Sequence, residues 1–253
     1  LGGYSRAADV IGRLRAGAAD NVLIHAGDLV QGSVYFTRYG GEADMAFWNK
    51  VKPDIATLGN HEFDKGSDLL ARVLLGKANF SFVSSNVDFS GDPELAAAAP
   101  APWVIKKIGP QRVGFAGATT VDTPLISSPG NKIVFKDPVT SVQKAVDELT
   151  REGVNKIVLV SHLGYEADRA LAEATAGVDV IVGGHSHTLL GGWSAVGPVE
   201  RDPYPAVLKD RSGGTVLVVQ AWEWAKAIGD LKVDFDAAGG VSSWSGAPVS
   251  VVG

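Results

Sequence analysis

The sequence predicts an α/β sandwich built on a mixed sheet or sheets. Three observations carry that expectation. The first two-thirds of the chain alternate short apolar runs with stretches whose apolar residues recur at helical spacing. Four of the apolar runs end in a polar, glycine-containing turn, which is where open α/β sheets hold their ligands. From Thr215 onward strand-like runs follow one another, and Thr215 to Ala221 and Ile228 to Phe235 are expected as antiparallel strands.

The elements follow in order. Ser5 to Ala16 sets Val10, Ile11 and Leu14 on one face, so it reads as a helix. Asn21 to Ala26 is a short apolar strand, Ala43 to Val51 a helix and Asp54 to Leu58 a strand. Ser67 to Leu75 is expected as a helix capped by Ser67, and Phe80 to Ser84 as a strand. The alanine-rich run Ala96 to Ala99, between Asp92-Pro93 and Pro100-Ala101-Pro102, reads as a surface connection. Trp103 to Ile108 and Arg112 to Ala118 form a hairpin around Gly109-Pro110. Asp137 to Glu152 carries helix punctuation at both ends, with Asp137 as N-cap, Pro138 in the first turn and Gly153 at the stop. Lys156 to Ser161 and Val178 to Val182 are buried strands flanking a helix over Glu166 to Thr175. Gly246 to Gly253 reads as a strand end or linker.

Composition narrows the function classes. A chain of 253 residues can bury a substantial core as one large domain or two small ones. With 45% hydrophobic and 20% charged residues it is globular, not disordered. The absence of Cys excludes disulfides, thiolate metal sites and a cysteine nucleophile. A net charge of −5 argues against binding a nucleic-acid backbone. No apolar run reaches the roughly 18 residues that span a bilayer. Residue 1 is Leu and no signal segment follows it, so the start reads as processed or truncated.

The chemistry lies at the four strand ends. Val22 to Ala26 leads into Gly27-Asp28, and Ile55 to Leu58 into Gly59-Asn60-His61-Glu62. Ile157 to Val160 leads into Ser161-His162-Leu163-Gly164, and Val180 to Val182 into Gly183-Gly184-His185-Ser186-His187. If these strands are neighbours in one sheet, their carboxyl ends form one crevice, and four of the five His residues lie there. Glycine at each turn permits a sharp bend and close approach of a metal or phosphate. Asp, Asn and three His make a nitrogen and oxygen donor set without sulfur. Such a set suits Zn²⁺, Mn²⁺, Fe or Co better than Ca²⁺. Two cations bridged by a carboxylate, roughly 3.5–4 Å apart, can clamp a phosphoryl group and activate water. Taken singly, each turn has an ordinary structural reading. Together, at four strand termini, they are hard to explain by packing.

The runs Gly27-Asp28-Leu29-Val30-Gln31-Gly32, Gly59 to Asp64, Ser161 to Gly164 and Gly183 to Thr188 resemble the successive signatures of the calcineurin-like metallophosphoesterases. Their fuller wording is similar to the 5′-nucleotidase branch, as are Ile126-Ser127-Ser128-Pro129-Gly130 and Val218-Val219-Gln220-Ala221. The resemblance covers nearly the whole chain. It implies a four-layer αββα sandwich and a hydrolase of phosphomonoesters, nucleoside 5′-monophosphates first, acting in nucleotide catabolism. It implies two divalent metal ions as cofactors, Zn²⁺ or Mn²⁺ before Mg²⁺, Co²⁺ or Fe. Asp28 would bridge the two. Asn60, His162 and His185 would complete one site, and His187 would serve the other. His61 would face the phosphate, with Asn60 beside it, as general acid or charge stabiliser oriented by Asp64. Water attacks phosphorus in line in such a reaction. His25 and the tryptophans Trp222, Trp224 and Trp244 are expected to be structural.

Relatives of this kind are commonly periplasmic, cell-surface or secreted, and their partner is a small nucleotide. The family's first motif, Asp-x-His, does not occur before Asp28. Residues 1–253 are therefore expected to be a catalytic domain lacking the family's first strand and its C-terminal substrate-binding domain. Rival readings are a cyclic-nucleotide, nucleotide-sugar or sulfur-ester hydrolase of the same superfamily, or a metal- or nucleotide-binding module without turnover.

Overall fold

The computed structural model of the chain describes residues 1–193 and 201–252. In chain order the first part comprises α1 (Tyr4–Ala16), β1 (Ile24–His25), α2 (Val34–Tyr39), α3 (Glu42–Val51), β2 (Ile55–Thr57) and α4 (Gly66–Leu69). A π-helical turn over Leu70–Leu75 continues α4. Then come β3 (Ser81–Val83), β4 (Val87–Asp88), α5 (Pro93–Ala98), β5 (Trp103–Ile108), β6 (Gln111–Thr119), α6 (Thr123–Ile126) and β7 (Val134–Phe135). The last part comprises α7 (Pro138–Arg151), β8 (Ile157–His162), α8 (Tyr165–Ala174), β9 (Val180–Gly183), β10 (Ala206–Lys209), β11 (Thr215–Gln220), β12 (Ala227–Phe235) and β13 (Val241–Ser250).

Two principal sheets pack face to face. One is parallel, in the order β1-β2-β3, and the other is six-stranded, β10-β11-β9-β8-β6-β5, with antiparallel partners only at its two edges. β8 is buried along its whole length, as its unbroken apolar run requires of a strand covered on both faces. Ile55, Val83, Phe115, Val158, Val160 and Leu217 fill the space between the sheets. Outside the first sheet Leu29, Phe36, Met45, Trp48, Phe63 and Leu70 form a second core under α2, α3 and α4. Outside the second, Val142, Leu149, Leu159, Leu171 and Val218 join α7 and α8 to the sheet. This is the four-layer αββα arrangement, to which β12 and β13 add a hairpin covered by Ala7 and Val10 of α1.

The sheets approach closely at their carboxyl ends. A side chain at Gly117 would overlap the Val83 carbonyl of the facing sheet. The Thr119 hydroxyl donates to the Leu58 carbonyl at 2.7 Å, crossing from β6 to the end of β2. Asn86 closes the same corner, accepting from the Thr119 amide at 2.9 Å and donating to its carbonyl at 2.8 Å.

Several expectations are corrected. The four motif-bearing strands are not neighbours in one sheet: β1 and β2 belong to the first, β8 and β9 to the second. β11 does not pair with β12. It runs parallel to β9 and antiparallel to β10, while β12 pairs with β13. The run Ala96 to Ala99 is mostly helix, because Asp92 caps it by accepting from the Glu94 and Leu95 amides and Pro93 fixes its first turn. Ser67 is not a cap, since α4 begins a residue earlier with Lys65 at its N-cap position. The stretch from Gly246 is the second half of β13, and Gly253 lies outside the described residues. Among the described residues no helix is long and apolar enough to cross a membrane.

The punctuation of α7 is as expected. Asp137 accepts from the Thr140 amide at 2.8 Å, and Gly153 takes φ 75° at the stop. Asp137→Ala should lower unfolding free energy by about 1 kcal/mol, read from the denaturant midpoint.

His25 lies edge-on to Trp48 with ring centroids 4.4 Å apart, and its buried Nδ1 has no partner. Burial holds its pKa down at about 4. Between that value and the ordinary 6.5 the unfolded chain binds a proton that the folded one does not, so stability rises with pH across the window. The full shift corresponds to about 3 kcal/mol, an upper bound because the ring keeps some solvent exposure. His25→Leu should flatten the dependence of the urea midpoint on pH between 4 and 6.5. An unchanged slope would exclude His25 as its source.

Candidate functional site

Two loops from each sheet meet at one end of the molecule. β1 delivers Asp28, β2 delivers Asn60 and His61, β8 ends on His162, and β9 leads to His185 and His187. Asp28, His185 and His187 all sit in the left-handed region, at φ 56°, 72° and 51°. Non-glycine residues rarely adopt it, and such strain collects at functional sites. The glycines beside them allow contact. A Cβ at Gly27 would lie 2.6 Å from the Gly59 nitrogen and 2.7 Å from His162 Nδ1, and one at Gly59 would overlap the Asp28 carboxylate.

Asp28, Asn60, His162 and His185 converge. The His162 Nδ1–H donates to the Ala26 carbonyl at 2.6 Å, which leaves a lone pair on Nε2. That nitrogen faces two acceptors, Asp28 Oδ2 at 3.0 Å and Asn60 Oδ1 at 3.3 Å. The same amide oxygen lies 3.0 Å from His185 Nδ1. Acceptors turned on one another need a proton or a cation between them. Burial pushes the Asp28 carboxyl up, but the hydrogen bond and charge of His162 outweigh it and leave its pKa lowered. Burial likewise works against the His162 cation, and Asp28 reverses it to a raised pKa. Ligands about 2.1 Å from a cation, at right to tetrahedral angles, stand about 3.0–3.4 Å apart. The three observed separations fall in that range. Among the described residues no three His, Cys, Asp or Glu side chains close on a common point by themselves. The amide oxygen of Asn60 is the piece that joins them.

The His61 ring stands beside this cluster, with its own amide donating to Asp28 Oδ1 at 3.0 Å. Its Nδ1 lies 2.7 Å from Asp64 Oδ2. The Asp64 carboxylate also accepts from Gln31 Nε2 at 2.9 Å and Ser127 Oγ at 2.8 Å. A carboxylate so placed can only accept, so His61 carries its proton on Nδ1 and presents Nε2 outward. The side chain is 37% exposed, open to a substrate.

His187 is set apart from the other expected donors. Its Nδ1 lies 3.3 Å from Glu223 Oε2 rather than against Asp28. Gln220, at the end of β11, holds the loop that carries His185 and His187. Its Oε1 accepts from the Thr188 amide and the Ser186 hydroxyl, and its Nε2 donates to the Gly184 carbonyl at 3.0 Å.

Glu62 and Glu223 also contact residues of the candidate site, and the sequence reading gives neither a role. Glu62 is buried and accepts the amides of Asp28 at 2.9 Å, Leu29 at 2.6 Å and Gly59 at 2.5 Å, so one carboxylate fixes both first-sheet loops. Burial, then the charge of Asp28, push its carboxyl up to about 7. The only signal for it is a charged residue directly before Phe63, which is buried. Nothing in the sequence distinguishes Glu223. Trp222 packs beside Leu189 and Trp193 as expected, but Trp224 is 66% exposed and lies edge-on to His187 at 5.8 Å. It is a surface residue at the rim of the site, not a core one.

Residues 1–189 match the family described as calcineurin-like phosphoesterase. The chain is 38% identical to a 5′-nucleotidase of Bos taurus over 253 residues, covering 98% of this chain and 44% of that protein. It superposes on the crystal structure of a 5′-nucleotidase precursor from Thermus thermophilus with TM-score 0.95 and 47% identity, covering 99% of this chain and 49% of that one. A Haemophilus influenzae NAD nucleotidase superposes with TM-score 0.92 and 33% identity, over 99% of this chain and 44% of that one. The chain thus spans under half the length of each of these relatives.

Glu62→Ala would leave three buried amide donors without acceptors. A loss of about 2–4 kcal/mol is expected in denaturant unfolding. A change below about 0.5 kcal/mol would mean that water takes over the acceptor role.

Proposed function

Because the chain belongs to the calcineurin-like phosphoesterase family, we propose that it hydrolyses phosphomonoesters, nucleoside 5′-monophosphates first, with two divalent metal ions. The observation that carries this reading is the His61–Asp64 pair beside the Asp28, Asn60, His162 and His185 cluster. His61 stands outside that donor cluster with its ring held by Asp64 and its side chain 37% exposed, a placement that suits a proton donor to a bound phosphoryl group.

Asp28, Asn60, His162 and His185, with His187, would hold the ions, which when bound supply Lewis-acid polarisation of phosphoryl oxygens and an activated water. The remaining work belongs to the protein. Asp64, held by Gln31 and Ser127, fixes the His61 ring. His61 Nε2, when protonated, donates to a phosphoryl oxygen or to the leaving alkoxide. Asn60 uses its oxygen toward His162 and His185, so its amide N–H groups remain to meet the phosphoryl group. Glu62 keeps the Asp28 and Gly59 backbones in place.

Recognition of the base is assigned, in this reading, to the part of the relatives that the chain does not cover. Location in the periplasm, at the cell surface or in the medium is part of this reading, and the Thermus relative is described as a precursor. The Haemophilus relative, an NAD nucleotidase by name, supports a second reading in which a dinucleotide is the substrate.

The test is phosphate release from AMP by the natural protein with added Mn²⁺ or Zn²⁺, alongside NAD and UDP-glucose. Turnover of AMP should disappear with a chelator. His61→Ala should lower kcat by about 10²–10⁴-fold while metal content is retained. Faster turnover of NAD than of AMP would move the assignment to the dinucleotide. Metal bound without turnover of any of the three would overturn the enzyme reading in favour of a binding module.

A further inference from the structure

The loop from β1 into α2 carries an exposed side chain on a backbone that favours glycine. Gln31 takes φ 85° and lies open to solvent. Glycine occupies that region freely, whereas a side chain there strains the backbone. An exposed residue gains little by burial, so packing does not account for the strain. Hydrogen bonding does. Gln31 Oε1 accepts from the Gly32 amide at 2.9 Å, and Nε2 donates to Asp64 Oδ2 at 2.9 Å. A backbone amide only donates and a carboxylate only accepts, so the partners assign both ends of the Gln31 amide. Asp64 Oδ2 is also the oxygen that faces His61 Nδ1, at 2.7 Å. The other oxygen accepts from Ser127 Oγ at 2.8 Å. The turn after β2, the loop before α2 and the end of α6 thus all donate to one carboxylate.

We propose that Gln31 is a positioning residue for turnover, holding Asp64 Oδ2 where that oxygen aims the His61 ring at a bound phosphate ester. The inference rests on the reading above that His61 serves the reaction. Oxygens held from two sides fix the plane of the Asp64 carboxylate, and the His61 N–H follows that plane. Ser127 restrains the carboxylate through the oxygen that His61 does not use. Gln31 shares the oxygen that His61 does use, so its loss loosens the His61 contact directly. A small misplacement of a group that acts in the transition state lowers the rate without weakening substrate binding. The strained backbone at Gln31 then has a use, since it carries the amide that reaches Asp64.

Two variants separate this role from a structural one. Gln31→Gly removes the amide and relieves the strain, so the urea midpoint should stay the same or rise. A structural role predicts a lower midpoint. In Gln31→Glu the carboxylate can still accept from the Gly32 amide. It offers Asp64 no donor and sets a like charge against it. Gln31→Glu should therefore lose at least as much activity as Gln31→Gly. The experiment measures turnover of AMP and NAD by the natural protein at neutral pH with saturating Mn²⁺. Metal content and the urea midpoint are read on the same samples. Wild type, Gln31→Gly, Gln31→Glu, His61→Ala and the double variant His61→Ala/Gln31→Gly are compared. Gln31→Gly should lower kcat by about 10-fold, the scale of a lost hydrogen bond to a charged group, with KM and metal content unchanged. It should lower kcat no further in the His61→Ala background. The same further loss in the double variant would overturn the proposal, because Gln31 would then act apart from His61. So would an unchanged kcat, a change confined to KM, Gln31→Glu milder than Gln31→Gly, or a fall in metal content or urea midpoint. A wild type that is inactive, or that works as well without His61, removes the reading of His61 and this one with it. A wild type whose turnover needs His61 but not Gln31 removes this one alone.

Discussion

One imidazole holds the two halves of this molecule in working relation. His162 ends β8 of the six-stranded sheet, yet both of its nitrogens are spent on the other sheet. Nδ1 donates to the Ala26 carbonyl, and Nε2 faces Asp28. The ring is buried, so these contacts are made with little competition from water and are worth more than surface ones. They set how far apart the loops after β1 and β8 can stand. Gly27 and Gly184 lack side chains at the places where one would strike the His162 ring. The left-handed backbone of Asp28 follows from the same constraint, since its carboxylate must turn back toward both His162 and the His61 amide.

Around that ring the polar groups fall into a sequence of dependence. Glu62 and Gln220 make no contact with the outside. Each holds a loop by its backbone, one on the first sheet and one on the second. Asp64 holds the His61 ring by Nδ1 on one flank, and on the other Glu223 lies within ion-pair distance of His187. The apolar layer between the sheets, Ile55, Phe115, Val158 and Leu217 among it, is what makes the geometry rigid, because close-packed side chains leave the loops few alternatives.

Much of this is legible in the sequence, and the parts that are not have a common cause. Helix α7 can be read to the residue because Asp137, Pro138 and Gly153 act through neighbours in the chain. The candidate site residues from Asp28 to His187 stand out because each lies in a polar, glycine-containing turn at the end of an apolar run. What cannot be read is anything decided across the chain. Strands β1, β2, β8 and β9 look alike as apolar runs, and nothing local says that two belong to each sheet. β11 pairs parallel with β9 only after the chain has passed through β10, its antiparallel partner at the sheet edge, a fact its own residues do not record. Ala96 to Ala98 reads as linker when the flanking prolines are weighed above a capping Asp92. Glu223 is invisible because its partners, His187 and Lys226, lie on either side of a loop whose shape rests on left-handed tryptophans.

The contacts that define the site span long stretches of chain. Ala26 and His162 are 136 residues apart, Asn60 and His162 are 102, and Asn60 and His185 are 125. Synthesis at roughly 5–20 residues per second leaves Asp28 and Asn60 waiting on the order of ten seconds for their histidines. On the proposed two-metal reading the first sheet would offer only an amide and a carboxylate during that wait, and the donor set would be complete only once the second sheet brings His162 and His185 to them.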